Sequence, residues 1–149
     1  MENLNVGVFG AAGKMGAITC QAINNRDSMT LCLGVDSNQV GTLIPNTSLQ
    51  IQGTVESLEG IDVMVDFTVA EAAMGNLKLA AQAGVHAVVG TSGINEEHVA
   101  ELTKIFTKSN LKRRPINNSS SDAPTHCRSG QVALTTKTES HEMCNTDET

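Results

Sequence analysis

From Val6 to about Phe106 the chain alternates short apolar runs with stretches in which apolar residues return every three or four positions. Val6-Gly7-Val8-Phe9 predicts a first strand. Met15, Ile18, Ala22 and Ile23 predict the apolar face of a helix that starts at Lys14 and ends at the polar Asn24-Asn25-Arg26-Asp27. Thr30-Leu31-Cys32-Leu33-Gly34-Val35 is a second strand. Residues 37–60 read as loop, with Gly41, Pro45, Gly53 and the polar Asn46-Thr47-Ser48, and hold one short strand over Gln50 to Val55. The apolar density of Ile61-Asp62-Val63-Met64-Val65-Asp66-Phe67 suits a strand covered on both faces. Thr68 and Glu71 have the spacing of a capping box, opening a helix through Ala72, Ala73, Leu77, Ala80 and Ala81 to Gly84, a left-handed terminator. Val85 to Val89 is the next strand and Gly90-Thr91-Ser92-Gly93 the loop after it. Asn95 is placed to cap a last helix with Val99, Leu102, Ile105 and Phe106 on one face.

Strands joined to helices by short loops imply an α/β fold, a Rossmann-like doubly wound parallel sheet with right-handed crossovers. Ligands of such sheets collect at the carboxyl ends of the strands, where three loops fall: Gly10 to Gly16, the Asp66-Phe67-Thr68 corner, and Gly90 to Gly93. The first has glycines three apart between a strand and a helix, a pattern suited to a pyrophosphate. Gly10 permits a tight turn, Gly13 removes a side chain where backbone must approach phosphate, and Gly16 lets the helix lie close to the sheet. The helix then presents free N–H groups and a partial positive charge to the anion. Asp36, 20 residues beyond Gly16 at the end of the second strand, is placed to accept hydrogen bonds from an adenosine ribose.

Composition narrows the function classes. At 149 residues and 40% hydrophobic content the chain has material for one core and little room for a second domain. A net charge of -6 argues against nucleic acid and anionic membranes as partners. Neither a long apolar segment nor a secretory leader is present, so the expected location is cytoplasmic. Cys20 and Cys32 read as small buried hydrophobes, and the absence of a Cys-x-x-Cys pair removes a redox motif.

Gly10-Ala11-Ala12-Gly13-Lys14-Met15-Gly16, Val63-Met64-Val65-Asp66-Phe67-Thr68 and Gly84 to Gly93 together resemble dihydrodipicolinate reductase (hydroxy-tetrahydrodipicolinate reductase) over roughly residues 4–108, its amino-terminal cofactor domain. The resemblance implies NADH- or NADPH-dependent reduction of a cyclic imine dicarboxylate on the diaminopimelate and lysine route. It implies that backbone N–H groups from Gly10 through Met15, with Ala11, Ala12, Gly13 and Lys14 between, wrap the pyrophosphate while Gly16 seats the helix. Asp36 would hold the adenosine ribose and, with no arginine at Ser37 or Asn38, favour NADH over NADPH. Phe67 and Thr68 would line the nicotinamide side. Gly90, Thr91 and Ser92 would meet the nicotinamide ribose and carboxamide, with Thr91 also near a substrate carboxylate. Ser92 stands where the family more often has threonine.

Beyond about residue 110 the resemblance stops. The family's second α+β domain, with its His-His pair, Lys and Asp-Ala-Pro-Ser-Gly-Thr segment, is not recognisable, so no catalytic residue is assigned. Residues 1–110 hold 50 apolar residues and 111–149 only 9, too few to offset the entropy of ordering, so that segment is expected to be a largely disordered polar tail. An intact first half joined to such a tail is what a truncation or shifted reading frame produces. The expected consequence is weak NADH binding with little or no turnover. A non-catalytic NAD-binding regulatory module is the alternative, sharing every cofactor residue. A zinc-clipped tail through His126, Cys127, His141 and Cys144 has awkward spacing, and no metal is expected. Met15, Met64 and Met74 read as core residues, His86 as a core or rim residue and His98 as solvated.

Overall fold

A computed structural model describes residues 3–108 and 132–134. The order of elements is β1 (Leu4–Phe9), α1 (Lys14–Asn24), β2 (Met29–Val35), β3 (Val63–Asp66), α2 (Ala70–Ala83), β4 (His86–Val89), α3 (Glu96–Lys108) and β5 (Val132–Leu134). The strands form one sheet in the order β2-β1-β3-β4-β5, and every pairing is parallel. The first crossover leaves β1 toward β2 and the next lands on its opposite side at β3. The chain reverses direction across the sheet between β1 and β3, and a crevice opens above their carboxyl ends at such a point.

Alternating side chains supply two cores. Val6 and Val8 of β1 pack with Leu31, Cys20, Ile23, Ile44 and Ile51 on one face of the sheet. Phe9, Leu33, Val35, Met64, Ala87 and Val89 pack on the other with Leu77, Ala80 and Ala81 of α2 and Leu102 and Phe106 of α3. Leu31 and Leu33 have the same parity yet lie on opposite faces. The register explains it: Val6 pairs with Leu31 but Gly7 pairs with Leu33, so Cys32 is an extra residue that inverts the alternation of β2.

The structure differs from expectation at several places. The buried face of α1 is Gly16, Cys20 and Ile23, whereas Met15 and Ile18 are more than half exposed and Ala22 faces out. A helix that touches the sheet through Gly16 is rotated relative to one that uses its largest apolar residues. Val69, not Thr68, is the N-cap of α2 and gives no side-chain bond, because the Thr68 hydroxyl is turned to Asp66 at 2.6 Å. The strand expected over Gln50 to Val55 is reduced to isolated bridges, one of them a parallel bridge between Gln52 and Val35 on the outer edge of β2. That bridge stands where the third strand of a full Rossmann order would lie.

Elsewhere expectation and structure agree. Gly84 ends α2 at φ 70°, and Asn95 caps α3 by accepting the N–H of His98 at 2.9 Å. The segment expected to be a disordered polar tail departs from that expectation at the apolar Val132-Ala133-Leu134, which pairs with Ala87-Val88-Val89 on the outer edge of β4. The candidate zinc ligands lie outside the described residues.

Candidate functional site

Gly10 leaves β1 at φ +78°, a conformation costly for any residue with a Cβ. Its N–H and that of Ala11 both donate to the carbonyl of Val35, at 2.8 and 3.1 Å, fastening the turn to the end of β2. Gly13 is the N-cap of α1, with its N–H on the Gly10 carbonyl at 3.0 Å and its own carbonyl accepting from Ala17 at 2.9 Å. A methyl group at Gly16 would run into the Gly10 carbonyl, so this glycine is what allows α1 to begin directly on the turn.

These bonds narrow the set of available donors. The N–H groups of Gly10, Ala11 and Gly13 are taken by backbone carbonyls, and that of Ala12 by Asp36 Oδ2 at 3.0 Å. Lys14, Met15 and Gly16, the first residues of α1, precede the first intrahelical bond and keep theirs without an intrahelical acceptor. The Lys14 side chain is exposed beside them. The turn thus leaves three backbone donors at a helix N-terminus, those of the exposed Lys14 and Met15 and of the buried Gly16, a geometry suited to an anion.

Asp36 follows β2 directly. Its N–H donates to the Gln52 carbonyl at 2.9 Å, and Oδ1 accepts the Asn38 N–H at 2.8 Å, which closes a turn over the strand end. The carboxylate is half-buried and locked against the glycine turn.

The corner after β3 is built round Asp66, a fully buried carboxylate at 0% exposure. Oδ1 accepts the N–H of Thr68 at 2.8 Å, its hydroxyl at 2.6 Å and the hydroxyl of Thr91 at 3.1 Å; Oδ2 accepts from Asn76 Nδ2 of α2 at 2.8 Å. Phe67 donates its N–H to the Phe9 carbonyl at 3.0 Å, and its ring covers Gly90 where a methyl group would collide with it. Gly90 in turn donates to the Asp66 carbonyl at 2.8 Å. Thr91 is buried with its hydroxyl committed to Asp66, and the Ser92 side chain is exposed. Sequence reasoning named this corner but not the part played by Asp66 and Asn76. A buried acid at the end of an apolar strand is a signal, but its partners lie 2, 10 and 25 residues away with no periodicity to connect them.

Other candidate groups fall outside this edge. Burial pushes the Cys20 thiol up to about 11, so it packs as a hydrophobe under α1. His86 is half-buried in β4, and His98 is half-buried and accepts the N–H of Asn95 on Nδ1 at 3.3 Å. Met64 is in the core, and Met74 packs against it. Among the described residues no three His, Cys, Asp or Glu side chains converge on a metal position, and no helix is long and apolar enough to cross a membrane.

The parallel order, the glycine turn above β1 and the acidic residue closing β2 define the Rossmann-like class of α/β domain. Within it the chain belongs to the family described as dihydrodipicolinate reductase, N-terminus, which matches residues 4–116. It is similar to the 4-hydroxy-tetrahydrodipicolinate reductase of Mycobacterium sp. (strain KMS), 35% identical over 99 residues that are 66% of this chain and 36% of that protein. The enzyme of the same name from Moorella thermoacetica is 37% identical over 114 residues, 70% of this chain and 43% of the relative. Among solved structures, a dipicolinate-bound dihydrodipicolinate reductase from Paenisporosarcina sp. TG-14 matches 69% of this chain and 43% of that one, with TM-score 0.58 and 26% identity. The chain therefore spans less than half the length of these relatives.

Proposed function

We propose that this chain is the cofactor-binding part of a dihydrodipicolinate reductase and holds a nicotinamide dinucleotide along the carboxyl edge of its sheet. The observation that carries the reading is the rigid turn from Gly10 to Gly16, whose internal bonds leave the N–H groups of Lys14, Met15 and Gly16 to face a diphosphate. Ala11, Ala12 and Gly13 shape that turn, and Asp36, held by Ala12, receives the adenosine ribose. Phe67, Thr68, Gly90, Thr91 and Ser92 form the nicotinamide end. Because the Thr91 hydroxyl is buried on Asp66, Thr91 acts there through its backbone, and Ser92 supplies the exposed hydroxyl. The Asp36 carboxylate repels a 2′-phosphate, and neither Ser37 nor Asn38 brings a compensating cation, so NADH is favoured over NADPH.

A reduced nicotinamide, when bound, supplies hydride for an imine carbon. The chain's own residues position that ring, but among those of the nicotinamide end none is a cation able to pair with the two carboxylates of a cyclic imine dicarboxylate, and none is placed as an acid for its nitrogen. The isolated chain accordingly binds cofactor and turns over little or no substrate. That same deficit is what favours the second reading, a silent NAD-binding module. Calorimetry with NADH and NADPH on the full chain, paired with a steady-state reductase assay, tests both halves. Uptake of NADH without turnover is expected; no uptake at millimolar ligand overturns the cofactor reading, and robust turnover overturns the claim of an incomplete site.

A further inference from the structure

The buried acid that ends β3 takes no part in the glycine turn or in the bonds of Asp36. Burying a carboxylate among apolar strands is costly, and an apolar residue would fill the same volume more cheaply. Asp66 is nevertheless 0% exposed, and its four side-chain bonds reach three separate pieces of the chain: its own turn at Thr68, helix α2 at Asn76, and the loop after β4 at Thr91. Its main-chain carbonyl accepts again from that loop, from the Gly90 N–H at 2.8 Å and the Thr91 hydroxyl at 3.3 Å. The Phe67-Thr68 corner and the Gly90-Thr91-Ser92 loop thus share one anchor. By contrast, the glycine turn is fastened to the end of β2, through Val35 and Asp36.

We propose that Asp66, oriented by Asn76, is a positioning residue that sets the separation of the two nicotinamide-end loops while leaving the adenosine end unaffected. The proposal rests on the cofactor reading given above. It predicts that the two ends of the ligand respond differently to changes in the network. ADP, which has the adenosine ribose and the diphosphate but neither the nicotinamide nor its ribose, reports on the turn and Asp36; NADH reports in addition on the loops that Asp66 joins.

The test is calorimetry of NADH and of ADP on the full chain and its variants Thr91→Val, Thr91→Ser and Asn76→Ala, with thermal unfolding of each. Thr91→Val keeps the shape but removes the hydroxyl that reaches Asp66. Thr91→Val and Asn76→Ala are each expected to weaken NADH roughly tenfold and ADP less than about twofold. Thr91→Ser, which keeps the donor, should recover most of the NADH affinity that Thr91→Val loses. A general loss of stability would lower both affinities together, and that result overturns the proposal, as does unchanged NADH affinity in both Thr91→Val and Asn76→Ala. If the parent chain takes up neither ligand, the cofactor reading fails and this proposal with it. Parent binding without the split removes the proposal alone.

Discussion

The carboxylate of Asp36 accepts the backbone N–H of Ala12 at 3.0 Å, joining the end of β2 to the glycine turn above β1 across 24 residues of chain. The acid read from sequence as a ribose ligand is therefore also part of the frame of the glycine turn. Asp36→Ala releases the Ala12 donor and removes the charge to which the proposed preference for NADH is ascribed. NADH binding is expected to weaken about tenfold and NADPH binding by less, so the ratio of the two dissociation constants moves toward one. Parallel titrations with both nucleotides check this, and an unchanged ratio would count against Asp36 as the source of preference.

Gly16 and Gly75 are both helical glycines, but only one has a neighbour. A methyl group at Gly16 meets the Gly10 carbonyl, whereas at Gly75 it meets nothing within 4 Å. Gly16→Ala should destabilise the chain by roughly 2–3 kcal/mol, because backbone on both sides must move. Gly75→Ala should stabilise it by about 0.5–1 kcal/mol through the unfolded chain's lost freedom. Urea denaturation of the pair gives opposite signs.

The two later helices differ at their starts. Asn95 accepts the His98 N–H at 2.9 Å, while Val69 caps α2 with an exposed apolar side chain and no bond. Asn95→Ala is expected to cost about 1 kcal/mol and Val69→Ser to add about 0.5–1 kcal/mol. A denaturation midpoint that falls for Val69→Ser would mean its hydroxyl does not reach the first turn.

Cys20 makes stability depend on alkaline pH. Desolvation raises its folded pKa above the ordinary 9.0 to about 11, so the folded state holds the proton more tightly than the unfolded chain. The associated stability is complete below pH 9.0 and is lost as pH rises toward about 11. The loss is on the order of 2 kcal/mol. Unfolding free energies measured across that window should fall more steeply for the parent than for Cys20→Ala.

Much of the fold is legible in the chain itself. Apolar runs bounded by Gly84, Asn95 and the Asn24 to Asp27 loop set the strands and helices, because local periodicity and stop signals are properties of neighbouring residues. The glycine turn was equally legible, since a tight turn, a close approach and a helix contact each demand a residue without a side chain. The face of α1 was not: Met15 and Ile18 look like core by composition but are exposed, as the contact of Gly16 with Gly10 fixes the helix rotation before hydrophobicity can choose. The capping box at Thr68 failed for a related reason. Its hydroxyl donates to the Asp66 carboxylate, which turns the oxygen away from the free N–H groups of the helix start.

The sequence by itself determined the alternation of elements, the place of the glycine turn and the acid at the end of β2, each of which is written in short-range spacing. Only the tertiary structure decided which N–H groups of that turn remain free, that Asp36 is bonded to Ala12, and that Asp66 gathers Thr68, Asn76 and Thr91 round one buried carboxylate. Those are relations between residues brought together when parallel strands align at their carboxyl ends. Hydrogen-bond partners compete in space, and no pattern along a chain ranks competitors that meet only after folding.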